Sequence, residues 1–179
     1  MPVEEVLVSV DVEASGPSPG TGSLIAIGAC LVDKQSAGLY LELKPMPGLP
    51  WSDEAERIHG LSREHLEAGG LEPAVAMKRF ADWLEEVAGE RQPVFVGFNA
   101  TFDWMFVADY FQRFAGHNPF GHSGLDIKAY YMGRRRLAHW EDTRYANVIR
   151  DLRLDQPHTH HALEDAREQA ELLRLIAAQ

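Results

Sequence analysis

The chain opens with an alternation of apolar and polar residues that predicts a β-strand. Residues 6–13 read Val-Leu-Val-Ser-Val-Asp-Val-Glu, a β-branched run with a period of two. Side chains two positions apart on a strand point to the same face, so Asp11 and Glu13 are expected side by side at its carboxyl end. A cluster of glycine and proline between Gly16 and Gly22 then ends the strand.

Four further apolar runs predict the remaining strands of a sheet. They span residues 24–33, 39–44, 93–98 and 124–127. The connection between the first two of these runs is short, which favours antiparallel neighbours. The run at 93–98 has no polar face, which is typical of a buried parallel strand.

Three segments carry apolar residues at helical spacing. The first opens at Pro73, a residue suited to the first helical position, and has Phe80 and Leu84 on its apolar stripe. The others run from about residue 100 to 115 and from about residue 161 to 177. Small inward-facing residues in the last helix permit close packing on a sheet. One or two shorter helical pieces are predicted between residues 52 and 66.

Length and composition restrict the class of protein. The chain has 179 residues, 45% of them hydrophobic, so we predict a single domain over residues 1–179. A net charge of −10 is unlike a protein that binds duplex DNA through its overall charge. The single Cys30 excludes a disulfide within the chain and fits a reducing compartment. Without a signal peptide or a membrane-length apolar run, we predict a cytoplasmic protein that does not contact membranes.

Carboxylates occur at places where a charge is costly. Asp11 and Glu13 repel each other unless one is protonated or a cation lies between them. Asp103 belongs to the apolar stripe of the second long helix, and Asp165 lies one turn into the last. A site for Mg²⁺ or Mn²⁺ is one interpretation. The alternatives are a charged strand end in solvent and simple carboxylates at helix N-termini.

Basic and aromatic residues are interleaved between residues 128 and 153. The basic side chains include Lys128, Arg134, Arg135 and Arg136, and the aromatic ones are Tyr130, Tyr131, Trp140 and Tyr145. The pattern predicts either a surface that follows a single strand and stacks its bases, or a solvated helical face with the rings turned to the core. A zinc site at the neighbouring His158, His160 and His161 is not favoured, because their spacing is poor and no cysteine is near.

The order of these motifs resembles the DEDDh exonucleases, the ribonuclease T and polymerase-proofreading type. The first motif matches Val-Asp-Val-Glu at residues 10–13 with Gly16. The second matches Asn-Ala-Thr-Phe-Asp at 99–103, and the third His-His-Ala-Leu-Glu-Asp-Ala at 160–166. Ile-His-Gly-Leu at 58–61 is similar to the segment before the family's first long helix. The resemblance covers essentially the whole chain.

Two departures from the family pattern are visible. Ala14 stands where the family often has Thr, and Phe98 stands where many members have His. The family's histidine lies five residues before the last Asp, which selects His160 over His161.

The resemblance implies an α/β, ribonuclease-H-like fold with a central mixed five-stranded sheet flanked by helices, three antiparallel strands coming first and then two parallel. It implies a metal-dependent 3′–5′ exonuclease that acts on the 3′ ends of single-stranded DNA or RNA and releases nucleoside 5′-monophosphates. A homodimer is compatible with it. The alternatives are an exoribonuclease specific for RNA and a non-catalytic module that binds nucleic acid or a polymerase.

The resemblance also implies two divalent cations, Mg²⁺ or Mn²⁺, and a role for each site residue. Asp11 would bridge both ions, Glu13 and Asp165 would complete one metal site, and Asp103 would hold the second ion partly through water. His160 would take the proton from the attacking water.

Substrate contacts are expected from residues beside these motifs and from the basic segment. They are Ala14, Ser15, His59, Asn99, Phe102, Arg134, Arg135 and Arg136.

Overall fold

The computed structural model describes residues 3–154 and 159–178, so His158 lies outside the described residues. The strands are β1 (Glu5–Ala14), β2 (Leu24–Leu31), β3 (Gly38–Glu42), β4 (Gln92–Gly97) and β5 (Gly124–Asp126). The α-helices are α1 (Asp53–His59), α2 (Arg63–Gly69), α3 (Pro73–Ala88), α4 (Thr101–Phe114), α5 (Ile127–Arg135), α6 (Tyr145–Leu152) and α7 (Ala162–Ala177). A 3₁₀ helix, Trp140–Thr143, lies between α5 and α6. Within the described residues, no helix is long and apolar enough to cross a membrane.

The strands form one mixed five-stranded sheet in the order β3-β2-β1-β4-β5. The first three strands are antiparallel neighbours, and β4 and β5 run parallel to β1. This confirms the predicted sheet and its mixed character. Because β1, β4 and β5 are parallel, their carboxyl ends meet at one edge, where open α/β sheets commonly bind ligands.

The alternation along β1 divides the core between the two faces of the sheet. Val6, Val8, Val10 and Val12 face a cluster that includes α3 and α4. The opposite face is covered by α5, α6 and α7, which pack on Cys30, Val96 and their neighbours. Asp11 and Glu13 have the opposite parity to the valines, so they point to the face that α7 covers.

The basic segment after β5 folds as two short helices joined by the 3₁₀ helix. Tyr131 is buried, and Tyr130 and Tyr145 pack against the same core cluster as α7. Trp140 is 50% exposed, with the Lys128 ammonium 4.5 Å from its ring centroid. The prediction that the rings turn to the core is therefore confirmed for the tyrosines, and Trp140 is the exception.

Gly28, in the middle of β2, allows the first turn of α7 to lie directly on the sheet. It pairs with Asp11 on one side and with Tyr40 on the other. A Cβ atom added at Gly28 would lie 2.0 Å from the carbonyl carbon of Ala162, closer than any real contact. The missing side chain brings the start of α7 alongside Asp11.

We expect Gly28→Ala to destabilise the protein, because the new methyl group would push α7 off the sheet. Overpacking of this kind typically costs about 1–3 kcal/mol, and each kcal/mol lowers the melting temperature by about 2–4 °C in a chain of this size. Thermal melts followed by circular dichroism measure the change. Gly133→Ala is the matched control, because a Cβ there meets nothing within 4 Å. An unchanged melting temperature for Gly28→Ala would contradict the close contact.

Candidate active site

Three carboxylates from two distant parts of the chain meet at the carboxyl end of β1. Oxygen atoms of Asp11, Glu13 and Asp165 all lie within 4.8 Å of one another. Asp165 lies in the first turn of α7 and is 3% exposed. Carboxylates this close repel one another unless a cation lies between them. A donor set made only of oxygens suits a hard divalent cation.

Asp103, in the first turn of α4, contacts the backbone of the same strand, β1. The pairing of β1 with β4 ends at Ser9, so the backbone of Val12 extends beyond this ladder. The Val12 N–H donates to Oδ1 of Asp103 at 3.0 Å. Asp103 lies outside the close group of three carboxylates, yet it contacts the peptide between two of them.

The surroundings of Asp103 disfavour its charged form. Burial raises the pKa of this carboxyl well above its ordinary value, the bond from Val12 opposes the increase, and the charges of Glu13 and Asp126 add to it. A cation nearby would offset both the burial and the repulsion. These surroundings therefore suit carboxylates that bind a cation better than carboxylates without one.

Asp126 joins the beginnings of two helices beside Asp103. Its Oδ1 accepts the Ala129 N–H at 2.7 Å and caps α5, while its Oδ2 accepts the Ala100 N–H at 2.6 Å. The first helical turn of α4 has no side-chain cap from its own N-cap residue, Ala100. Sequence analysis did not identify this residue, because an Asp before a helix predicts a cap for that helix only.

Polar donors hold two of the clustered carboxylates. Thr159 donates its backbone N–H and its hydroxyl to Oδ1 of Asp165, at 3.3 and 3.0 Å. Gln169 donates from Nε2 to Oδ1 of Asp11 at 2.5 Å. Gln169 was also missed by sequence analysis, since its contact with Asp11 depends on how α7 crosses the sheet.

The two neighbouring histidines have different surroundings. The ring of His161 stacks on Tyr40, with 4.3 Å between the ring centroids. His160 is exposed and has a left-handed backbone with a φ of 52°. Burial lowers the pKa of His59, and His160 contributes to that decrease, which makes the two imidazoles electrostatic neighbours.

A cleft of about 400 Å³ opens beside Glu13. Its lining combines apolar and polar side chains: Glu13, Ala14, Gly16, Pro17, Ser52, Glu54, Ala55, Ile58, His59 and Phe102. Nδ1 of His59 accepts the Leu61 N–H at 3.0 Å, so the neutral ring carries its proton on Nε2. That nitrogen is buried and has no hydrogen-bond partner in the described part of the chain.

Ser15 is a predicted substrate contact whose side chain is buried, and its role in binding stays a prediction. Ser15 is 1% exposed, and its hydroxyl accepts the Ser23 N–H at 2.8 Å and donates to the Pro50 carbonyl at 3.4 Å. The hydroxyl therefore links Ser15 to the segments that contain Ser23 and Pro50 and is shielded from solvent. Asn99 is exposed with a φ of 64°, and its contact with substrate stays a prediction.

The predicted arginines lie at the far end of α5 from the carboxylates. Arg135 pairs with Asp151 at 2.7 Å, and Arg136 ends the helix with a φ of 52°. Helix geometry places Arg135 roughly 13 Å along α5 from Asp126, given a rise of about 1.5 Å per residue. The arginines do not line the cleft described above. Substrate binding by Arg134, Arg135 and Arg136 stays a prediction.

Comparison with known proteins places the chain among nucleases. The sequence model of the RNase_T family, described as exonuclease, matches residues 8–173. The protein named 3′-5′ DNA exonuclease Cap18 from Escherichia coli is 44% identical over 174 residues, which cover 97% of this chain and 92% of that protein.

Two solved structures are similar in fold. The nuclease domain of 3′hExo, described as a DEDDh family member bound to rAMP, has a TM-score of 0.78 and 13% identity, over 97% of this chain and 92% of that chain. E. coli exonuclease I in complex with a dT13 oligonucleotide has a TM-score of 0.73 and 17% identity. That alignment covers 97% of this chain but 41% of exonuclease I. At these identities the similarity extends to the fold alone.

The raised pKa of Asp103 predicts a pH-dependent stability of the metal-free protein. Folding favours the protonated form, so this contribution is present below the ordinary pKa of aspartate and is lost as pH rises through the raised folded-state value. In EDTA, the melting temperature of the wild type should fall relative to Asp103→Asn between about pH 5 and the raised folded-state pKa of about 8, and the difference should level off above it. Each kcal/mol of difference corresponds to about 2–4 °C.

Asp109→Asn is the control, because it removes one negative charge from the same helix at a partly exposed position. Its melting temperature should stay at a constant offset from the wild type over the same pH range. A constant offset for Asp103→Asn as well would show that burial does not disfavour its charge.

Proposed function

The chain belongs to the RNase_T exonuclease family, and from that membership we propose how its residues remove nucleotides from the 3′ end of single-stranded DNA. The protein is a 3′–5′ exonuclease, an enzyme that hydrolyses phosphodiester bonds with divalent metal ions. The proposal depends chiefly on the approach of Asp11, Glu13 and Asp165, whose oxygens lie within 4.8 Å of one another.

The residues at the site fit a pair of divalent cations, Mg²⁺ or Mn²⁺. The donors are carboxylate oxygens, which these ions prefer. We assign Asp11 to both ions, Glu13 and Asp165 to one of them, and Asp103 to the second, partly through water. The bond from Val12 is accepted by one of the two oxygens of Asp103. When bound, such a pair activates water and neutralises the charge that develops on the attacking and leaving oxygens.

His160 is the proposed general base. Its charge acts on His59, which lines the cleft, whereas the ring of His161 is stacked on Tyr40. Imidazole is the side chain best suited to accepting a proton near neutral pH. In this assignment His160 takes the proton from the attacking water, and the carboxylates hold their positions throughout the reaction.

The cleft beside Glu13 is the proposed site for the terminal nucleotide. Ala14, Ile58 and Phe102 provide apolar surface for a base or sugar, and the volume is within the range of small-ligand pockets. His59 offers a buried N–H donor to the substrate, because Nε2 has no hydrogen-bond partner among the described residues. A substrate oxygen in this position would satisfy a group that otherwise costs free energy.

DNA is the proposed substrate because the relative that is 44% identical over almost the whole chain is named a DNA exonuclease. The carboxylates and His160 are all present, which argues against a non-catalytic module. We also propose a cytoplasmic location, as expected from the sequence. An exoribonuclease remains the alternative outcome of the substrate assay below.

Two substitutions test the roles of the site residues. Asp11→Asn removes the central charged ligand, and His160→Asn removes the base while using a residue that tolerates left-handed backbone. We expect both to lower kcat by about 10²–10⁴-fold in the presence of Mg²⁺ or Mn²⁺. Release of a label from single-stranded oligonucleotides measures the rate.

His161→Asn is the matched control for the histidine, since asparagine is a good N-cap for α7. It should keep kcat within about tenfold of wild type, a loss well below the range expected for a general base. Equal losses for the two histidine variants would contradict the assignment of His160, and wild-type rates for Asp11→Asn would contradict the metal site.

A second assay identifies the substrate. Matched single-stranded DNA and RNA oligonucleotides, labelled at the 5′ or the 3′ end, are incubated with each metal ion. We expect a 5′-labelled DNA ladder that shortens by single nucleotides and a 3′ label released as a mononucleotide. A faster rate on RNA would favour the exoribonuclease alternative, because RNA differs by the 2′-hydroxyl that a protein reads at the site.

A further inference from the structure

Gln169 is a buried amide on α7 that contacts two other segments of the site. It lies one turn after Asp165 and is 3% exposed. Its Oε1 accepts the Phe98 N–H at 2.9 Å, and its Nε2 donates to Oδ1 of Asp11 at 2.5 Å. One side chain therefore joins α7, β1 and the turn that leads from β4 into α4.

The backbone of Phe98 determines which way the amide of Gln169 faces. A backbone N–H can only donate, so it selects the oxygen of the amide. The nitrogen is then directed at Asp11, whose ionised carboxylate can only accept. A flipped amide would place donor against donor and acceptor against acceptor, and both bonds would be lost.

The bond to Asp11 opposes a specific repulsion. The carboxylate of Asp11 lies within 4.8 Å of oxygens from Glu13 and Asp165, and like charges tend to turn it away. A hydrogen bond to an ionised oxygen is stronger than a neutral one and holds Oδ1 in place. It occupies only one of the roughly four lone-pair sites of an ionised carboxylate.

We propose that Gln169 is a positioning residue for the exonuclease reaction, in which its Nε2–H orients Asp11 toward the cations and the Phe98 N–H sets the orientation of the amide. This inference rests on the metal site proposed above. Groups that orient metal ligands typically change metal affinity or activity about 10–100-fold when they are removed.

Gln169→Met tests this role, because it keeps the length of the side chain and removes both polar atoms. We expect the Mn²⁺ concentration that gives half of the Mn²⁺-induced rise in melting temperature to increase about tenfold or more. We expect kcat to fall about 10–100-fold while KM for a single-stranded oligonucleotide stays within about twofold. The KM is preserved because Gln169 does not line the proposed nucleotide cleft.

Leu84→Ala separates positioning from general stability. Leu84 is 1% exposed on α3, on the opposite face of the sheet from α7. Both Leu84→Ala and Gln169→Met should lower the melting temperature in EDTA, the latter because the Phe98 N–H loses its acceptor. Only Gln169→Met should shift the Mn²⁺ midpoint and kcat.

Gln169→Glu is a second variant that keeps an acceptor for Phe98 and replaces the donor that faces Asp11. This variant should lower kcat at least tenfold. If Gln169→Met does not fold in EDTA, the kcat of Gln169→Glu tests whether Gln169 positions Asp11. A folded Gln169→Met with wild-type Mn²⁺ midpoint and kcat would overturn the inference, as would a Gln169→Glu with kcat within about twofold of wild type. If the wild type itself shows neither a Mn²⁺ shift nor nuclease activity, the proposed function is overturned and this inference with it.

Discussion

Repulsion among carboxylates is the interaction that the rest of this structure must counteract. Asp11, Glu13 and Asp165 are held within 4.8 Å of one another, and Asp103 is buried beside them. Without a cation, each of these groups would be more stable in water than here. Keeping the carboxylates together therefore lowers the free energy of unfolding, and a cation that binds the folded state would raise it again.

Hydrogen-bond donors from separate segments are the means by which the fold holds these groups. The Val12 N–H contacts Asp103, Thr159 contacts Asp165, and Gln169 contacts Asp11. Bonds to ionised oxygens favour the charged form and fix its orientation. Val12 and Gln169 are far in sequence from the carboxylates that they contact, whereas Thr159 lies six residues before Asp165. The carboxylates are thus positioned by a network that connects β1, α4 and α7.

The topology of the sheet places that network at one edge. Because β1, β4 and β5 are parallel, the end of β1, the start of α4 and the Asp126 cap of α5 lie close together. Gly28 then lets α7 cross β2 at van der Waals distance, so that Asp165 reaches the same place from the far end of the chain. The cleft beside Glu13 is formed largely by α1 and the loop after β1, and it leaves Glu13 accessible to a ligand on that side.

The sequence alone determined the elements and the identity of the candidate acids. A period of two along β1 put Asp11 and Glu13 on one face, and helical spacing put Asp103 and Asp165 at the starts of core-facing helices, because these periods follow from local backbone geometry. The isolated Gly28 inside a strand was a signal of close backbone approach that sequence analysis did not use.

Only the tertiary structure decided which groups meet. The contact of Gln169 with Asp11, the bond from Ala100 to Asp126 and the inward turn of Ser15 join residues on separate elements. Such contacts depend on helix crossing and strand register, which no local pattern encodes. The separation of His160 from the stacked His161 depends in the same way on the packing of α7 against β3.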